Sequence, residues 1–218
     1  VYTDQEMGIP IMKKVQDYYY KKAKKQNYPA RSVYKLEEIQ KKHRIISRGD
    51  SVLDLGCSPG SWSLYASEIV GEKGVVVGVD LKKTEAEPRG GGSPIHWLCH
   101  DVTDPDMVTL LRKIRSGFKV LISDMAPKTT GNRWADHQQS MRLVEHSLTL
   151  AHQLLHQKGN YLCKLFQGED MPEFISRMKQ NFEQVKVIKP DSSRKESREV
   201  FILGVGFKHS QKRQSAAQ

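Results

Sequence analysis

The sequence has few cysteines, no long apolar run and no signal-peptide pattern at its start. The three cysteines among its 218 residues are far apart, and no CxxC pair or histidine at metal-ligand spacing accompanies them. This argues against a disulfide framework and against a metal site, and favours a reducing, cytoplasm-like compartment. No apolar run approaches the ~20 residues that a membrane-spanning helix needs. With 38% hydrophobic residues the chain can still bury a core, which excludes a disordered or fibrous protein.

Positive charge is concentrated near the N-terminus. Residues 13–48 hold twelve lysines and arginines against three acids, a net charge of +9, whereas residues 49–207 carry twenty charges of each sign. Residues 1–12 contribute −2 and residues 208–218 contribute +3 to the total of +10. A basic segment beside a neutral body predicts binding to a polyanion, with nucleic acid the first candidate. The alternative is a helix face that is only solvated.

The pattern of apolar residues predicts an α/β protein. Two helices are expected in the basic segment, over 10–26 and 31–43, and four more over 61–70, 105–115, 137–157 and 171–181. Seven short β-branched runs alternate with the later helices: Ser51–Leu55, Val75–Asp80, Ile95–Leu98, Val120–Asp124, Tyr161–Phe166, Val185–Lys189 and Val200–Val205. This alternation indicates a mostly parallel sheet with helices on both faces. No helix separates the last two runs, so one antiparallel strand is expected.

These patterns divide the chain into three parts within one expected domain. Residues 1–48 form a basic N-terminal helical arm, which we expect to bind nucleic acid and to belong to the same domain as the body. Residues 49–207 form the α/β body, and residues 208–218 form a polar basic tail that is expected to be disordered. We expect a monomer without membrane association.

A glycine-containing loop follows the first predicted strand, with the sequence DLGCSPGSW over residues 54–62. The spacing is not GxGxxG, and Pro59 lacks the amide that a pyrophosphate would need, so a dinucleotide fits poorly. Asp54, Asp80 and Asp101 each lie at or after the end of a predicted strand, where open α/β sheets bind ligands. Each acid alone could be a helix cap or a turn residue. Together they suit a nucleoside that carries positive charge, and S-adenosylmethionine is such a molecule.

Longer motifs follow in a fixed order: DLGCSPGSW, VGVD, SDMAP, CKLFQGE and KPDSSRKESREVF. With the basic arm, they resemble the FtsJ/RrmJ family of S-adenosylmethionine-dependent ribose 2′-O-methyltransferases, from about Tyr18 to Phe207. KLFQGE and KPDSSR are most similar to the bacterial branch that modifies the A-loop uridine of large-subunit ribosomal RNA. The resemblance implies a Rossmann-like methyltransferase fold, S-adenosylmethionine as donor without a metal, and rRNA as partner within a large ribosomal subunit or its precursor.

The resemblance also implies a catalytic set of Lys35, Asp124, Lys164 and Glu199. A ribose hydroxyl is a poor nucleophile, so its proton must be drawn off as the oxygen attacks the methyl group. Lys164 is expected to be either the general base or the cation that stabilises the developing oxyanion. Asp124 would orient Lys164, Lys35 would hold the target ribose or phosphate, and Glu199 would fix the two lysines.

For the donor, the resemblance implies contacts with Gly60, Trp62, Asp80, Asp101 and Asp124. Gly60 and Trp62 would present backbone and shape to the methionine end, Asp80 would bind the ribose, and Asp101 the adenine amino group. Asp124 would border the donor. Packing in the core is the alternative role for Trp62.

The sequence departs from the family pattern in a few places. CSPGS stands where AAPGG is frequent, and the small side chains of Cys57 and Ser58 should keep the turn. Lys128 stands where the family often has asparagine, adding a cation near the expected substrate cleft. Residues 131–139 match only loosely, and we assign no role to His137.

Three alternative functions remain open at this point. One is a tRNA anticodon-loop 2′-O-methyltransferase of the same family, and another is a mitochondrial relative that acts on rRNA. The third is a non-catalytic, RNA-binding ribosome assembly factor that has kept the fold. The presence of all four catalytic residues argues against the third, and a cytoplasmic enzyme is the first expectation.

Overall fold

A computed structural model describes residues 11–88, 90–194 and 196–208, with side chains from residue 18 onwards. Several predictions therefore fall outside the described residues: the acidic start, the side chains of Lys13 and Lys14, Lys195, and the tail after Lys208.

The described residues form six helices and seven strands. The helices are α1 (Ile11–Lys25), α2 (Val33–His43), α3 (Ser61–Val70), α4 (Met107–Ile114), α5 (Arg133–Leu154) and α6 (Met171–Asn181). The strands are β1 (Ser51–Leu55), β2 (Val75–Asp80), β3 (Ile95–Cys99), β4 (Phe118–Ser123), β5 (Leu155–Phe166), β6 (Phe182–Ile188) and β7 (Glu199–Phe207). None of these helices combines the length and apolar character that crossing a bilayer requires.

All seven strands form one sheet in the order β3-β2-β1-β4-β5-β7-β6. The pairs from β3 to β5 are parallel, and β7 runs antiparallel to both β5 and β6. The predicted Rossmann-like α/β fold, with seven mostly parallel strands and one antiparallel strand, is confirmed. β7 lies between β5 and β6 and runs opposite to both, so the antiparallel strand is the one next to the edge strand β6.

The predicted elements match the observed ones except at some ends. Helix α5 begins at Arg133 rather than at residue 137, because the Asn132 side chain accepts a hydrogen bond from the Ala135 amide and caps the helix. The same helix ends at Leu154, three residues earlier than predicted, and β5 follows at once from Leu155.

Alternate residues of the strands bury themselves in two separate cores, one on each face of the sheet. Leu53 and Leu121 pack with residues of α4, α5 and α6 in one core. Val52 and Val120 pack with residues of α2 and α3 in the other. This alternation is what a sheet covered on both faces requires.

The second helix of the basic arm belongs to this packing. Leu36 and Ile39 of α2 are fully buried in the core beneath the sheet. The arm is also attached by hydrogen bonds: the Trp62 indole donates to the Ser32 carbonyl at 2.8 Å, and the Ala30 amide donates to the Ser61 hydroxyl at 2.7 Å. Within the described residues, α2 and the segment before it therefore pack against the body.

Candidate active site

A cleft of about 430 Å³ opens at the carboxyl ends of β1, β2, β3 and β4. Its lining includes Asp80, Asp101 and Asp124, which the sequence predicts to bind the donor, together with Lys128. In the parallel sheet Leu55 lies beside Val79 and Ser123, and Asp80 lies beside Cys99. The topology thus brings together three carboxylates that are far apart in the sequence.

Gly56 of the glycine loop lines this cleft at a point where the chain packs tightly. Gly56 has φ +77°, and a Cβ atom there would lie 2.7 Å from Cγ of Met125, so a side chain cannot be accommodated without a shift. The Ser58 amide and the Lys82 amide each donate to one oxygen of the Asp80 carboxylate, at 3.0 and 2.9 Å. Each oxygen keeps a further lone pair, so Asp80 is held in place and can still accept from hydroxyl groups.

Asp101 is fixed by its own turn. The amide and the hydroxyl of Thr103 both donate to the same carboxylate oxygen, at 2.8 and 2.7 Å. These hydrogen bonds favour the charged form and hold the pKa of Asp101 below its ordinary value. Asp101 is therefore an anion at neutral pH.

Gly60 and Trp62 do not line the cleft. Gly60 has φ +107° at the start of α3, and its amide donates to the Cys57 carbonyl at 2.6 Å. The Trp62 side chain is 3% exposed, packs against Phe201 with ring centroids 5.7 Å apart, and lies in the core. This is the alternative that the sequence left open for Trp62. Contacts from either residue to a donor would have to use main-chain atoms.

The four predicted catalytic residues form two ion pairs at neighbouring strand ends. The Lys164 ammonium donates to the main-chain oxygen of Asp124 at 2.5 Å and to its carboxylate at 2.9 Å. The Lys35 ammonium lies 2.6 Å from the Glu199 carboxylate. Strand pairing explains the arrangement, because Ser123 lies beside Cys163 and Phe166 lies beside Glu199. All four side chains are largely buried, and Lys164 is only 8% exposed.

Burial and neighbouring cations shift the pKa of Glu199 in opposite directions. Burial would raise its pKa, but the ammonium of Lys35 and, to a smaller extent, that of Lys164 hold the pKa below its ordinary value. Glu199 therefore stays ionised at neutral pH and can keep Lys35 in place.

Glu38 lies one turn after Lys35 on α2 and was not predicted to belong to the site. Its carboxylate accepts from the amides of Asp191 and Ser192, at 2.7 and 3.0 Å, and so fastens α2 to the loop that leads into β7. The helix that carries Lys35 and the loop that leads to Glu199 are thereby tied to each other. The spacing of Lys35 and Glu38 shows that they share a helix face, but nothing local in the sequence indicates a contact across some 150 residues.

Asp54 differs from the expectation that it faces the ligand. Its side chain is completely buried beneath α3, where Oδ2 accepts from the Ser63 hydroxyl at 2.6 Å. Oδ1 has no hydrogen-bond partner among the described residues. Burial, opposed in part by the Ser63 hydrogen bond and reinforced by the negative charges of Asp124 and Asp80, raises the pKa of Asp54 to about 7.

Within the described ranges, no three histidine, cysteine or acidic side chains are grouped so that they could hold a metal ion. The acids at the cleft are instead engaged by backbone amides and by lysine.

Comparison with known proteins gives consistent matches. The profile of the FtsJ-like methyltransferase family matches residues 28–207. The chain is 61% identical over 201 residues to the ribosomal RNA large subunit methyltransferase E of Desulfotalea psychrophila, covering 92% of this chain and 100% of that protein. It is 42% identical over 197 residues to the protein of the same name from Methanothermobacter thermautotrophicus, covering 90% of this chain and 92% of that protein.

The fold has a counterpart among solved structures. The crystal structure of a ribosomal RNA methyltransferase from Plasmodium falciparum superposes with a TM-score of 0.72 at 25% identity. The match covers 83% of this chain and 98% of that chain.

The buried Asp54 carboxyl predicts how stability depends on pH. The folded state keeps this proton up to about pH 7, whereas the unfolded chain loses it near pH 3.8. The stability that the carboxyl contributes is therefore complete below the unfolded pKa and is lost as the pH rises through the folded pKa. Asp54→Asn removes this loss, so its unfolding free energy should exceed the wild-type value at pH 8 by up to about 4 kcal/mol, with a smaller difference at pH 5.

Urea unfolding at pH 5 and pH 8 measures the difference. Glu87→Gln, which neutralises an exposed carboxylate, is the matched control and should match the wild type at both pH values. An Asp54→Asn effect of equal size at the two pH values would contradict the prediction.

Proposed function

Because the chain belongs to the FtsJ-like methyltransferase family, we propose that it transfers the methyl group of S-adenosylmethionine to a ribose 2′-hydroxyl of large-subunit ribosomal RNA. The observation that carries the proposal is the position of Lys164, which Asp124 holds between the acidic cleft and the Lys35–Glu199 pair. The motifs KLFQGE and KPDSSR favour the A-loop uridine as the target. We further propose a monomer that acts in the cytoplasm.

The residues of the cleft fit S-adenosylmethionine as the donor. The donor supplies a methyl group on a sulfonium, which makes the carbon electrophilic. Asp80, Asp101 and Asp124 are carboxylates, which suit a ligand with a sulfonium and an ammonium better than one with phosphates. Asp80 would accept from the ribose hydroxyls, and Asp101 from the adenine amino group. Gly56 lines the cleft without a side chain, which avoids a clash with Met125 in the same lining.

The hydrogen bonds of Lys164 allow either of its two possible roles. Lys164 uses two N–H groups on Asp124. A neutral amine has two N–H groups and one lone pair, so in that state the lone pair remains to take the proton of the 2′-hydroxyl. An ammonium has a third N–H, which can stabilise the developing oxyanion. In both roles Asp124 sets the direction of the Lys164 side chain.

Lys35 and Glu199 support the acceptor side of the reaction. Lys35 comes from the basic arm, and its ammonium is a compact point charge suited to a phosphate or a ribose oxygen. Because Glu199 stays ionised, it compensates the charge of Lys35 when no RNA is bound. Glu38 fastens α2, which carries Lys35, to the loop that leads to Glu199, so the members of this pair lie on segments that are tied together.

Replacement of Lys164 tests the proposal. Lys164→Ala should abolish methyl transfer to rRNA but leave the affinity for S-adenosylmethionine within a few-fold, because the lysine acts on the hydroxyl and not on the adenosine. Single-turnover assays with methyl-labelled donor and calorimetry measure the two quantities. Lys186→Ala, at an exposed lysine on β6, is the control and should behave as wild type. Near-normal turnover of Lys164→Ala would contradict the assignment.

Mapping 2′-O-methylation in total RNA, with and without the gene, identifies the target. Loss of one methyl group in large-subunit rRNA is the expected result. Loss in a tRNA anticodon loop would replace the rRNA assignment. No change in methylation, together with a ribosome assembly defect, would indicate the non-catalytic factor.

Asp80 should matter for the donor alone. Asp80→Ala should weaken the binding of S-adenosylmethionine by about 1–3 kcal/mol, the cost of leaving ribose hydroxyls without their charged acceptor. Calorimetry measures this change, and Asp106→Ala, at an exposed acid beside α4, is the control. If donor affinity is unchanged and RNA affinity falls, Asp80 does not bind the donor and the proposed role is wrong.

The basic arm should provide most of the affinity for RNA. Lys21, Lys24 and Lys25 are exposed on α1, whereas Lys22 already contacts Glu37 and the Tyr34 ring. Reversing all four lysines to glutamate should lower affinity for every RNA tested and flatten the log–log salt dependence by about two to three units, at ~0.7 per phosphate contact. Donor binding should not change.

Filter binding at several salt concentrations measures the slope. Reversal of Lys179 and Lys186, on α6 and β6, is the control and should leave the slope unchanged. An unchanged slope in the arm variant would mean that the arm lysines are only solvated. RNA would then be held elsewhere, with Lys128, Arg194, Lys195 and Arg198 as the next candidates.

A further inference from the structure

Trp134 is an exposed aromatic side chain that the proposed mechanism does not use. It lies in the first turn of α5 and is 68% exposed, whereas Trp62 is buried and Trp97 is partly buried. Covering a large, solvent-exposed aromatic face with another planar group is energetically favourable. An exposed tryptophan near a proposed RNA site is therefore a candidate contact.

The main chain around Trp134 is held firmly. Asn132 caps the helix through the Ala135 amide at 3.1 Å. The buried Asp136 carboxylate accepts from the amide and the hydroxyl of Thr130, at 2.7 and 2.9 Å, and from the Gly131 amide at 3.3 Å. These hydrogen bonds fix the loop and the first turn together, so the indole is presented from a rigid base.

Trp134 is close to the catalytic strand ends. The Arg198 guanidinium donates to the main-chain oxygen of Arg133 at 3.3 Å and to that of Gln167. Arg198 directly precedes Glu199, so a single side chain connects the start of α5 with the catalytic carboxylate. The loop that begins after Asp124 ends at Asn132, two residues before Trp134. An RNA whose target ribose reaches Lys164 therefore has neighbouring nucleotides within reach of Trp134.

A pocket of about 280 Å³ lies beside the indole. Its lining includes Arg133, Trp134, Glu169, Asp170 and Arg198. His137 and Gln138 also line the pocket, and both contact Oδ2 of Asp170. The two carboxylates offset the charge of the two arginines, so a phosphate gains little by entering the pocket. A nucleobase fits better, because its ring faces can stack on the indole and its N–H groups can donate to the carboxylates. The arginines remain available for the adjoining phosphates.

We propose that Trp134 is the stacking platform for an unpaired nucleobase of the RNA substrate, close in the chain to the methylated nucleotide. Proteins recognise single-stranded RNA by stacking splayed bases on aromatic side chains and arginine planes, and a rigid indole beside two arginines provides this surface. The inference rests on the proposed function, because the RNA brought to Trp134 is the one that Lys164 acts on.

Trp134→Ala and Trp134→Phe test the platform, with Val187→Ala as the control at an exposed apolar residue on β6. The substrate is an unmodified rRNA fragment that contains the mapped methylation site. Trp134→Ala should weaken RNA binding about 5- to 100-fold, as removal of one base–aromatic stack does. Trp134→Phe should recover to within about threefold of wild type, because phenylalanine keeps a stacking face. Donor affinity and thermal stability should match the control in both variants.

Indole fluorescence gives a direct second measurement. RNA should quench the emission of the wild type, and Trp134→Phe should remove most of that quenching while the protein still binds RNA. Unchanged RNA affinity of Trp134→Ala, in an enzyme that methylates rRNA, would overturn the platform and leave the proposed function intact. A defect seen only with whole ribosomal subunits would also overturn it, because Trp134 would then contact a protein.

Failure of the proposed function has a different signature. If the wild type transfers no methyl group to rRNA in the same assay, the proposed function fails and the platform fails with it.

Discussion

A strand that enters a sheet against the direction of its neighbours brings its first residue to the edge where theirs end. β7 does this beside β5, and Glu199 therefore meets the carboxyl ends of β4 and β5. Lys35 can pair with Glu199 only because α2 crosses this same edge. Buried ion pairs add little to stability once desolvation is counted. The value of the two pairs is that they hold two ammonium groups in fixed positions in a water-poor site.

The fold and the acid-lined cleft could be predicted from the sequence, since they depend on local patterns, whereas the catalytic set came from the family resemblance and stays a prediction. Alternating β-branched runs and helices indicate the sheet, and acids at strand ends indicate the cleft. The sequence could not indicate that β7 lies between β5 and β6, because that order is set by packing across the sheet. Glu38 was missed for a similar reason, as its partners are amides more than 150 residues away.

Asp54 shows where local reasoning misleads, whereas the donor contact that the resemblance implies for Trp62 stays a prediction. Both lie beside the glycine loop, and both point away from the cleft. All five residues of β1 are buried, because helices cover both faces of this central strand. A carboxylate in such a strand has no open side to turn toward a ligand. Trp62 lies in the first turn of α3. Its indole packs in the core and donates a hydrogen bond to the Ser32 carbonyl of the arm.

The boundary of charge near residue 48 is not a boundary of the fold. Residues before it carry the net positive charge, yet Leu36 and Ile39 belong to the core of the body. Lys35 illustrates the difference. It contributes to the positive charge of the arm in the sequence, yet in the structure its side chain is largely buried and pairs with Glu199.

The hydrogen bonds from Trp62 to Ser32 and from Ala30 to Ser61 join the first turn of α3, next to the glycine loop, to the segment of the arm just before α2. A movement of one of these segments must carry the other along or break both bonds. If the donor binds at the glycine loop and RNA at the arm, this join is a physical connection between the two sites. Thermodynamic linkage is reciprocal, so any factor by which a bound donor tightens RNA is the same factor by which bound RNA tightens the donor.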